Sequence, residues 1–337
     1  MKCIQVSKIG EFSLIEKPVR DPKPDELCIQ VEVTGLCRTD LKIIRQGHRD
    51  LTLPRVPGEE VVGIVVSKGK NFHHIQTGQR VYVYPGLWCE KCEACLMKAE
   101  NMCRHMEIMG FHRDGGFAEY VTVPAKTVVP VPEGLHPNHA VFAEPLSCCL
   151  NALELSQISA KKTIGIWGAG PAGTLLHRAA LSFDAIPINI DPHPQRYQRI
   201  NGYESCPDMR FDIAIVAVGD RNAYLSAMNH LNPRGTLVIF SGLHKDDAFI
   251  SVDFNDIHYR ETKIVGAYGC CYRHGKQALT LLSEKEVLVD DLISHQLPLD
   301  ELNRGLDIVE NKLGMKVLLF PNHNETKQCK DTKNAIQ

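Results

Sequence analysis

Lys162-Thr-Ile-Gly-Ile-Trp-Gly168-Ala-Gly170-Pro-Ala-Gly173 joins a short apolar run to a glycine-rich turn. A helix-like segment, 171–182, follows the turn directly, and a second apolar run, 187–190, ends at Asp191. Strand, GxGxxG turn, helix, strand and acid in this order indicate a unit that binds a dinucleotide. A GxGxxG by itself is often only a glycine-rich turn, but here both strands, the helix and the acid accompany it.

Each glycine of the turn has an expected role. Gly168 permits the tight turn, Gly170 lets the backbone approach a pyrophosphate, and Gly173 lets the helix pack on the strand. Pro171 and Ala172 begin the helix, whose free N–H groups and positive partial charge suit the phosphates.

Asp191 and Arg196 bear on the choice of dinucleotide. An acid at the end of the second strand accepts hydrogen bonds from a ribose 2′-hydroxyl and repels a 2′-phosphate, so Asp191 favours NAD over NADP. Arg196 lies just past the acid and keeps NADP open as the less favoured alternative.

Composition excludes several classes of function. The chain has 337 residues, enough for about two domains, with 44% hydrophobic and 23% charged residues and a net charge of −2. Without a basic block, nucleic acid is not an expected partner. No apolar run is long enough to span a bilayer, and the N-terminus lacks the pattern of a signal peptide. We therefore expect a cytoplasmic protein with no membrane partner.

The first third of the chain reads as an all-β unit. Runs at 27–33, 61–66 and 79–84 are rich in β-branched or alternating apolar residues, and glycine and proline separate them. This pattern predicts a barrel-like or sandwich-like domain before the dinucleotide-binding unit. After Asp191, the interval 192–211 is short, and we expect a trimmed third strand near 204–206.

Four of the thirteen cysteines are tightly clustered. Cys89, Cys92 and Cys95 follow one another at intervals of three, and Cys103 comes after a short loop. Four thiolates that close a tetrahedron with no open position predict a structural zinc site, in a lobe of about residues 86–106.

Two further segments place acids among apolar residues, proline and glycine. Glu59 and Glu60 follow Pro57-Gly58, and Glu144 lies in Ala143-Glu144-Pro145. A buried carboxylate must be paired or bound to a metal, although Glu59 and Glu60 could also be solvated loop acids. Beside them, Cys37 in Gly35-Leu-Cys37-Arg-Thr-Asp40 becomes a candidate metal ligand.

Through these motifs, together with the segment 115–121 and Glu144-Pro-Leu, the chain resembles the zinc-dependent medium-chain dehydrogenase/reductase family. Within that family it is similar to the polyol (sorbitol-like) and threonine dehydrogenase branch. The resemblance implies an α/β plus all-β fold with a GroES-like β-barrel catalytic domain and a Rossmann coenzyme domain built on a doubly wound parallel sheet. The implied limits are 1–145 for the catalytic domain, 146–275 for the Rossmann domain, 276–321 for a return to the catalytic domain, and 322–337 for a disordered tail.

The resemblance also implies roles for particular residues. Cys37 matches a catalytic zinc ligand, Glu144 matches an acid at or beside that zinc, and Thr39 matches the hydroxyl that carries the substrate proton. Arg38 matches a residue that touches the cofactor phosphates in some relatives. The nicotinamide side would be lined by residues after the later strands, namely Val218, Gly219, Ser241, Gly242 and Tyr268.

Two positions depart from the family. Glu59 stands where the family has a zinc-binding histidine, so the predicted catalytic zinc set is Cys37, Glu59 and Glu144. Lys42 stands where a relay histidine is usual, and His48 is a possible substitute for it. The candidate catalytic residues are Cys37, Thr39, His48, Glu59, Glu60 and Glu144.

Three functions remain open at this stage. The first is an NAD-dependent zinc dehydrogenase that interconverts a secondary alcohol of a polyol, sugar or cyclitol with its ketone. The second is a medium-chain reductase without the catalytic zinc, and the third is a catalytically dead NAD-binding protein. The resemblance implies a homodimer or homotetramer and a small-molecule alcohol or ketone as the other partner.

Overall fold

The computed structural model describes residues 1–71 and 74–322. Within these residues no helix is long and apolar enough to cross a membrane. The predicted tail lies, apart from Asn322, outside the described residues, and the predicted cytoplasmic location stays a prediction.

The strands, in chain order, are β1 (Lys2–Lys8), β2 (Glu11–Glu16), β3 (Glu26–Leu36), β4 (Glu60–Lys68), β5 (Arg80–Val83), β6 (Gly86–Leu87), β7 (Glu107–Ile108), β8 (Tyr120–Pro124), β9 (Val128–Pro130), β10 (Thr163–Trp167), β11 (Ile186–Ile190), β12 (Phe211–Val216), β13 (Leu231–Ile239), β14 (Lys263–Gly266), β15 (Ile293–Pro298) and β16 (Lys316–Phe320). The α-helices are α1 (Arg38–Arg45), α2 (Glu93–Leu96), α3 (Pro137–Ala140), α4 (Ala143–Leu155), α5 (Pro171–Leu181), α6 (Pro194–Tyr197), α7 (Arg221–Asn229), α8 (Phe254–Arg260), α9 (Tyr272–Ser283) and α10 (Leu302–Glu310).

A five-stranded parallel sheet is built in the order β11-β10-β12-β13-β14. β10 lies inside it, and its apolar residues 164–167 are buried, as expected for a parallel sheet covered on both faces. The expected third strand near 204–206 is reduced to a single bridge between Ile190 and Tyr203, because the short interval is taken up by α6 and a 3₁₀ turn. The α/β part of the predicted fold class is confirmed.

A seven-stranded sheet forms the other half of the molecule, in the order β15-β16-β3-β4-β5-β9, with β8 paired to β3. β3 is the longest strand and pairs antiparallel with β4, β8 and β16. β15 and β16 come from the end of the chain, so the C-terminal segment returns to the sheet of the N-terminal half.

Helix α4 connects the two halves. It packs on α5 and α9, and one hydrophobic cluster contains Val62 and Tyr82 of the seven-stranded sheet together with Leu146 of α4 and Ile164 of β10. The expected limits at 145 and 275 fall within α4 and α9, and the domain limits stay predictions. The continuous core fixes the edges of both sheets against each other, and the candidate site lies where they meet.

Candidate active site and metal centres

The cysteine lobe is arranged as a metal site. The four Sγ atoms of Cys89, Cys92, Cys95 and Cys103 all lie within 4.8 Å of one another. The Sγ–Sγ distances are 3.5 Å for Cys92–Cys95, 3.8 Å for Cys92–Cys103 and 3.9 Å for Cys89–Cys95. A tetrahedron with Zn–S bonds of about 2.3 Å has edges of about 3.8 Å, so the residues fit a structural zinc ion.

Cys37 serves as the N-cap of α1. Its thiol donates to Asp40 Oδ2 at 2.9 Å, while the backbone N–H of Cys37 donates to the same oxygen at 2.9 Å and the N–H of Asp40 donates to Cys37 Sγ at 3.3 Å. Burial, reinforced by the charges of Asp40, Glu60 and Glu59, raises the pKa of the Cys37 thiol well above its usual value. The thiol is therefore engaged in a helix cap.

Asp40 is fully buried beneath this cap. Burial raises its pKa to about 6, against the hydrogen bonds from Cys37 that lower it. Its Oδ1 has no hydrogen-bond partner within 1–71 and 74–322. A buried carboxylate oxygen without a partner is costly, so this part of the site is poised to accept a proton.

Glu60 is part of a buried ion pair with Lys316. Their side chains are 1% and 5% exposed, and the Lys316 ammonium donates to the Glu60 carboxylate. The carboxylate lies against Gly35, where a Cβ would overlap it. Sequence reasoning missed Lys316, although a lysine at the start of the apolar run 316–320 needs a partner when that run is a core strand.

Glu144 lies beside two thiols. Cys148 is one turn later on α4 and donates to Glu144 Oε1 at 3.5 Å. Cys270, from the loop between β14 and α9, completes a group whose ligand atoms all lie within 4.8 Å of one another. Burial, with the charge of Glu60, raises the pKa of Glu144 to about 7.

Glu59 is half-buried near the same group. Burial raises its pKa well above the usual range, and the carboxylates of Glu144 and Asp40 add to that effect. Within the described ranges, neither Glu59 nor Cys37 belongs to a set of three ligating side chains with all ligand atoms within 4.8 Å. As placed, Cys37, Glu59 and Glu144 are not assembled around one ion, and their assignment to a catalytic zinc stays a prediction.

The first turn of α1 presents the candidate proton carriers. Arg38, Thr39 and Lys42 are exposed. His48 is half-buried, edge-on to Phe111, and its Nδ1 accepts from the backbone N–H of Asp50 at 3.2 Å. Burial lowers the pKa of His48. The relay role of His48 stays a prediction.

The buried side-chain amide of Asn189 holds the glycine turn in place by hydrogen bonds. Gly168 has φ +116°, and a Cβ on Gly173 would overlap the Gly168 carbonyl oxygen. Asn189 Nδ2 donates to the carbonyl oxygens of Gly168 (2.8 Å) and Gly173 (3.1 Å), and its Oδ1 contacts His177 Nδ1 at 2.7 Å. Sequence reasoning missed Asn189; the signal was a polar residue in the middle of an apolar strand.

Asp191 and Arg196 flank this turn. The buried Asp191 carboxylate accepts from the N–H groups of Ala169 (2.8 Å) and His193 (2.9 Å). The Arg196 guanidinium extends back over the turn, with Nη1 3.4 Å from the position of a Cβ on Gly170. Pro171 and Ala172 begin α5, as the sequence predicts for the phosphate side.

The predicted nicotinamide-lining residues follow parallel strands at one edge of the sheet. Val218 and Gly219 follow β12, Ser241 and Gly242 follow β13, and Tyr268 follows β14. The two glycines are in contact, because a Cβ on Gly219 would lie 2.8 Å from the Gly242 carbonyl oxygen. The carboxyl ends of parallel strands are where α/β sheets bind ligands, and the role of these residues stays a prediction.

Residues 23–133 match the alcohol dehydrogenase GroES-like domain. D-altritol 5-dehydrogenase of Agrobacterium fabrum is 30% identical over 318 residues, which cover 90% of this chain and 94% of that protein. L-galactonate-5-dehydrogenase of Escherichia coli is 27% identical over 319 residues, with coverages of 88% and 92%. The crystal structure of a protein of Sinorhizobium meliloti bound to NADP, described as a zinc-binding dehydrogenase, has a TM-score of 0.88 and 29% identity over 95% of this chain and 99% of that chain.

The chain therefore belongs to the zinc-dependent medium-chain dehydrogenase/reductase family. The predicted GroES-like and Rossmann fold class is confirmed, and so is the class of enzyme, a dehydrogenase that acts on alcohol groups.

Proposed function

We propose that the chain is a nicotinamide-dependent dehydrogenase that interconverts a secondary alcohol of a polyol or sugar derivative with its ketone. The observation that carries this proposal is the position of the loop after β14. Its Tyr268 belongs to the edge expected to bind nicotinamide, and the electrostatic neighbours of the Tyr268 hydroxyl include Asp50, Glu59 and Cys148. We infer that the coenzyme edge and the cluster of acids and thiols share one cleft.

NAD is the proposed coenzyme. Asp191 directly follows β11, where its carboxylate would meet the ribose 2′-hydroxyl and repel a 2′-phosphate. The related Sinorhizobium meliloti structure contains NADP, which keeps that coenzyme as the second candidate.

The negative charge of the cleft favours a substrate whose reacting end carries no anionic group. Asp40, Glu59, Glu60 and Glu144 influence one another electrostatically, and Lys316 is the cation among them. An excess of carboxylates repels a phosphate or carboxylate placed beside it. Uncharged hydroxyl groups of a polyol can instead donate hydrogen bonds to these acids, so a substrate's anionic group, if it has one, should lie at the far end.

The reaction moves a hydride from the carbinol carbon to nicotinamide C4 and releases the hydroxyl proton. A zinc ion bound in the cleft would supply Lewis-acid polarisation of the substrate oxygen. The residues of the chain must hold the hydroxyl and conduct its proton to solvent. Thr39, exposed on the first turn of α1 next to Cys37, is the proposed first carrier.

A panel of polyols, sugar acids and ketoses tests the proposal by the appearance or loss of reduced nicotinamide absorbance. We expect turnover with at least one secondary alcohol and a primary isotope effect when its carbinol carbon is deuterated. Thr39→Ala should lower kcat by about 100-fold, whereas Thr39→Ser, which keeps the hydroxyl group, should retain most activity. Tight nicotinamide binding without turnover of any member of the panel would favour a dead NAD-binding protein.

We also propose that the chain forms a homodimer or homotetramer. β14 is an edge strand of the parallel sheet, and Phe249, Phe254 and Tyr259 are exposed on the segment before it. Exposed aromatic groups and an unpaired strand edge are typical of association surfaces. Light scattering coupled to size exclusion measures the mass directly, and a monomer at micromolar concentration would contradict this assembly.

A further inference from the structure

Two thiols and a carboxylate converge where α4 meets the loop after β14. Glu144 and Cys148 are four residues apart on α4 and therefore share one face of the helix. Cys270 reaches them from the loop after β14. The three ligand atoms lie within 4.8 Å of one another.

The spacing is that of a metal site. For a tetrahedral zinc ion with Zn–S of about 2.3 Å and Zn–O of about 2.1 Å, the S–O edge is about 3.6 Å. Cys148 Sγ lies 3.5 Å from Glu144 Oε1. The cysteine lobe, whose donor set fits zinc, has edges of the same size, 3.5 to 3.9 Å.

The cysteine on the loop is held in place by hydrogen bonds that do not involve its thiol. Tyr84 donates its hydroxyl to the Cys270 carbonyl oxygen at 2.7 Å, and Asn151 of α4 donates to the Gly269 carbonyl oxygen at 2.9 Å. The helix that carries Glu144 and Cys148 thus also fixes the loop that carries Cys270. Metal sites are formed most readily when such supporting contacts orient the ligands before the metal binds.

Tyr82 supplies a second, independent observation. Its side chain is fully buried, and its hydroxyl has no hydrogen-bond partner among the residues that the structure describes. The groups that interact with this hydroxyl electrostatically are led by Cys270, Glu144 and Cys148. A phenol donor beside neutral thiols is poorly satisfied, whereas beside metal-bound thiolates it would have a strong acceptor.

The charges around the group also favour a cation. Asp40, Glu59 and Glu60 add three carboxyl groups to the neighbourhood of Glu144, while Lys316 offsets one of them. A divalent ion relieves such an excess more effectively than solvent, because the site is largely removed from water.

We propose that Glu144, Cys148 and Cys270 bind a thiophilic divalent cation, zinc in the native protein, in place of the set Cys37, Glu59 and Glu144. Three protein ligands leave a fourth position open, as in catalytic rather than structural zinc sites. Glu59 lies outside this set, and Cys37 remains the cap of α1. The assignment deepens the proposed function, since it names the metal ligands of that same cleft, but it is tested by metal binding and not by turnover.

Binding at this site exchanges protons for the metal. Each thiol that becomes a ligand releases one proton to solvent, so zinc uptake by the second site should acidify a weakly buffered solution. Two thiolates, one carboxylate and Zn²⁺ leave the centre with one negative charge. No oxidation or reduction accompanies the exchange.

Zinc content by mass spectrometry, measured on folded protein purified without chelator, tests the assignment. Wild type should contain about two zinc ions per chain, one in the lobe and one in the cleft. Cys148→Ala and Cys270→Ser should each retain about one, whereas Cys37→Ala should retain both. Loss of an ion in Cys37→Ala with both kept in Cys270→Ser would overturn the proposal.

A measurement on the wild type alone guards against variants that fail to fold. An alkylating reagent is applied to the native protein before and after mild chelation, and the labelled cysteines are mapped by peptide mass spectrometry. We expect Cys148 and Cys270 to gain label together when the second zinc leaves, with Cys206 as the unchanged control. Gain of label at Cys37 instead would refute the ligand set. Activity lost in Cys37→Ala with both ions retained would affect only the proposed mechanism.

Discussion

The ammonium group of Lys316 is paired with the carboxylate of Glu60, 256 residues earlier in the chain, and neither side chain is more than 5% exposed. The pair ties β16, from the end of the chain, to β4 at the base of the cleft. Because both charges are removed from water, each relies on the other as its counter-charge.

Loss of the lysine should therefore destabilise the protein. Lys316→Met leaves a buried carboxylate without a counter-charge, and we expect the free energy of unfolding to fall by about 3–5 kcal/mol. Chemical denaturation followed by fluorescence measures the change. Lys312→Met, at an exposed position of the same segment, is the matched control. A Lys316→Met variant as stable as wild type would show that the ion pair does not stabilise the folded protein.

Stability should depend on pH through Asp40. Burial raises the pKa of this carboxyl from 3.8 to about 6, so the folded state binds its proton more tightly than the unfolded state. The resulting stabilisation is complete below about pH 4 and is lost as the pH rises to about 6, which amounts to about 3 kcal/mol.

Asp40→Asn tests this pH dependence, since an amide oxygen can still accept from the Cys37 backbone. The variant should lose the fall in Tm between about pH 4 and pH 6 and be the more stable protein at pH 7. Exposed Asp21→Asn serves as the control. Parallel Tm curves for wild type and Asp40→Asn would mean that another group titrates in this interval.

The cysteine lobe should stiffen the loop that carries Cys270. Asn101 in the lobe donates to the Tyr268 carbonyl oxygen at 2.8 Å, and Glu100 accepts from the Tyr272 backbone N–H at 3.1 Å. Cys103→Ser should remove one zinc ion, lower Tm and speed hydrogen exchange in 268–272, because metal binding contributes folding free energy. Cys206→Ser is the control. Unchanged exchange in that loop after loss of the lobe zinc would show that the lobe and the loop are uncoupled.

Arg196 should contribute to binding of both coenzymes. Its guanidinium lies over Gly170, where a pyrophosphate common to NAD and NADP is expected. Arg196→Met should weaken the binding of NADH and of NADPH by about tenfold each, since a charge-assisted hydrogen bond contributes about 1.5 kcal/mol or more. Fluorescence titration gives both Kd values, with Arg199→Met as the control. A loss confined to NADPH would instead place Arg196 at the 2′-phosphate.

What the sequence by itself determined is the chemistry encoded in short intervals. The turn Gly168 to Gly173 with Asp191, and the four cysteines from Cys89 to Cys103, have their geometry fixed by local spacing. The strand, the tight turn and the helix N-terminus follow one another within a few residues, so local spacing sets their geometry. Four cysteines on one short loop bring their thiols close together for the same reason.

Only the tertiary structure decided which distant groups share the cleft. Nothing in the spacing of Glu60 and Lys316, or of Glu144, Cys148 and Cys270, predicts their contact, because each meeting depends on how β16 and the loop after β14 pack against the rest of the molecule. The sequence singled out Glu144 and Cys37 together. Packing separates their roles, because Cys37 is engaged by Asp40 in a helix cap while Glu144 faces two thiols.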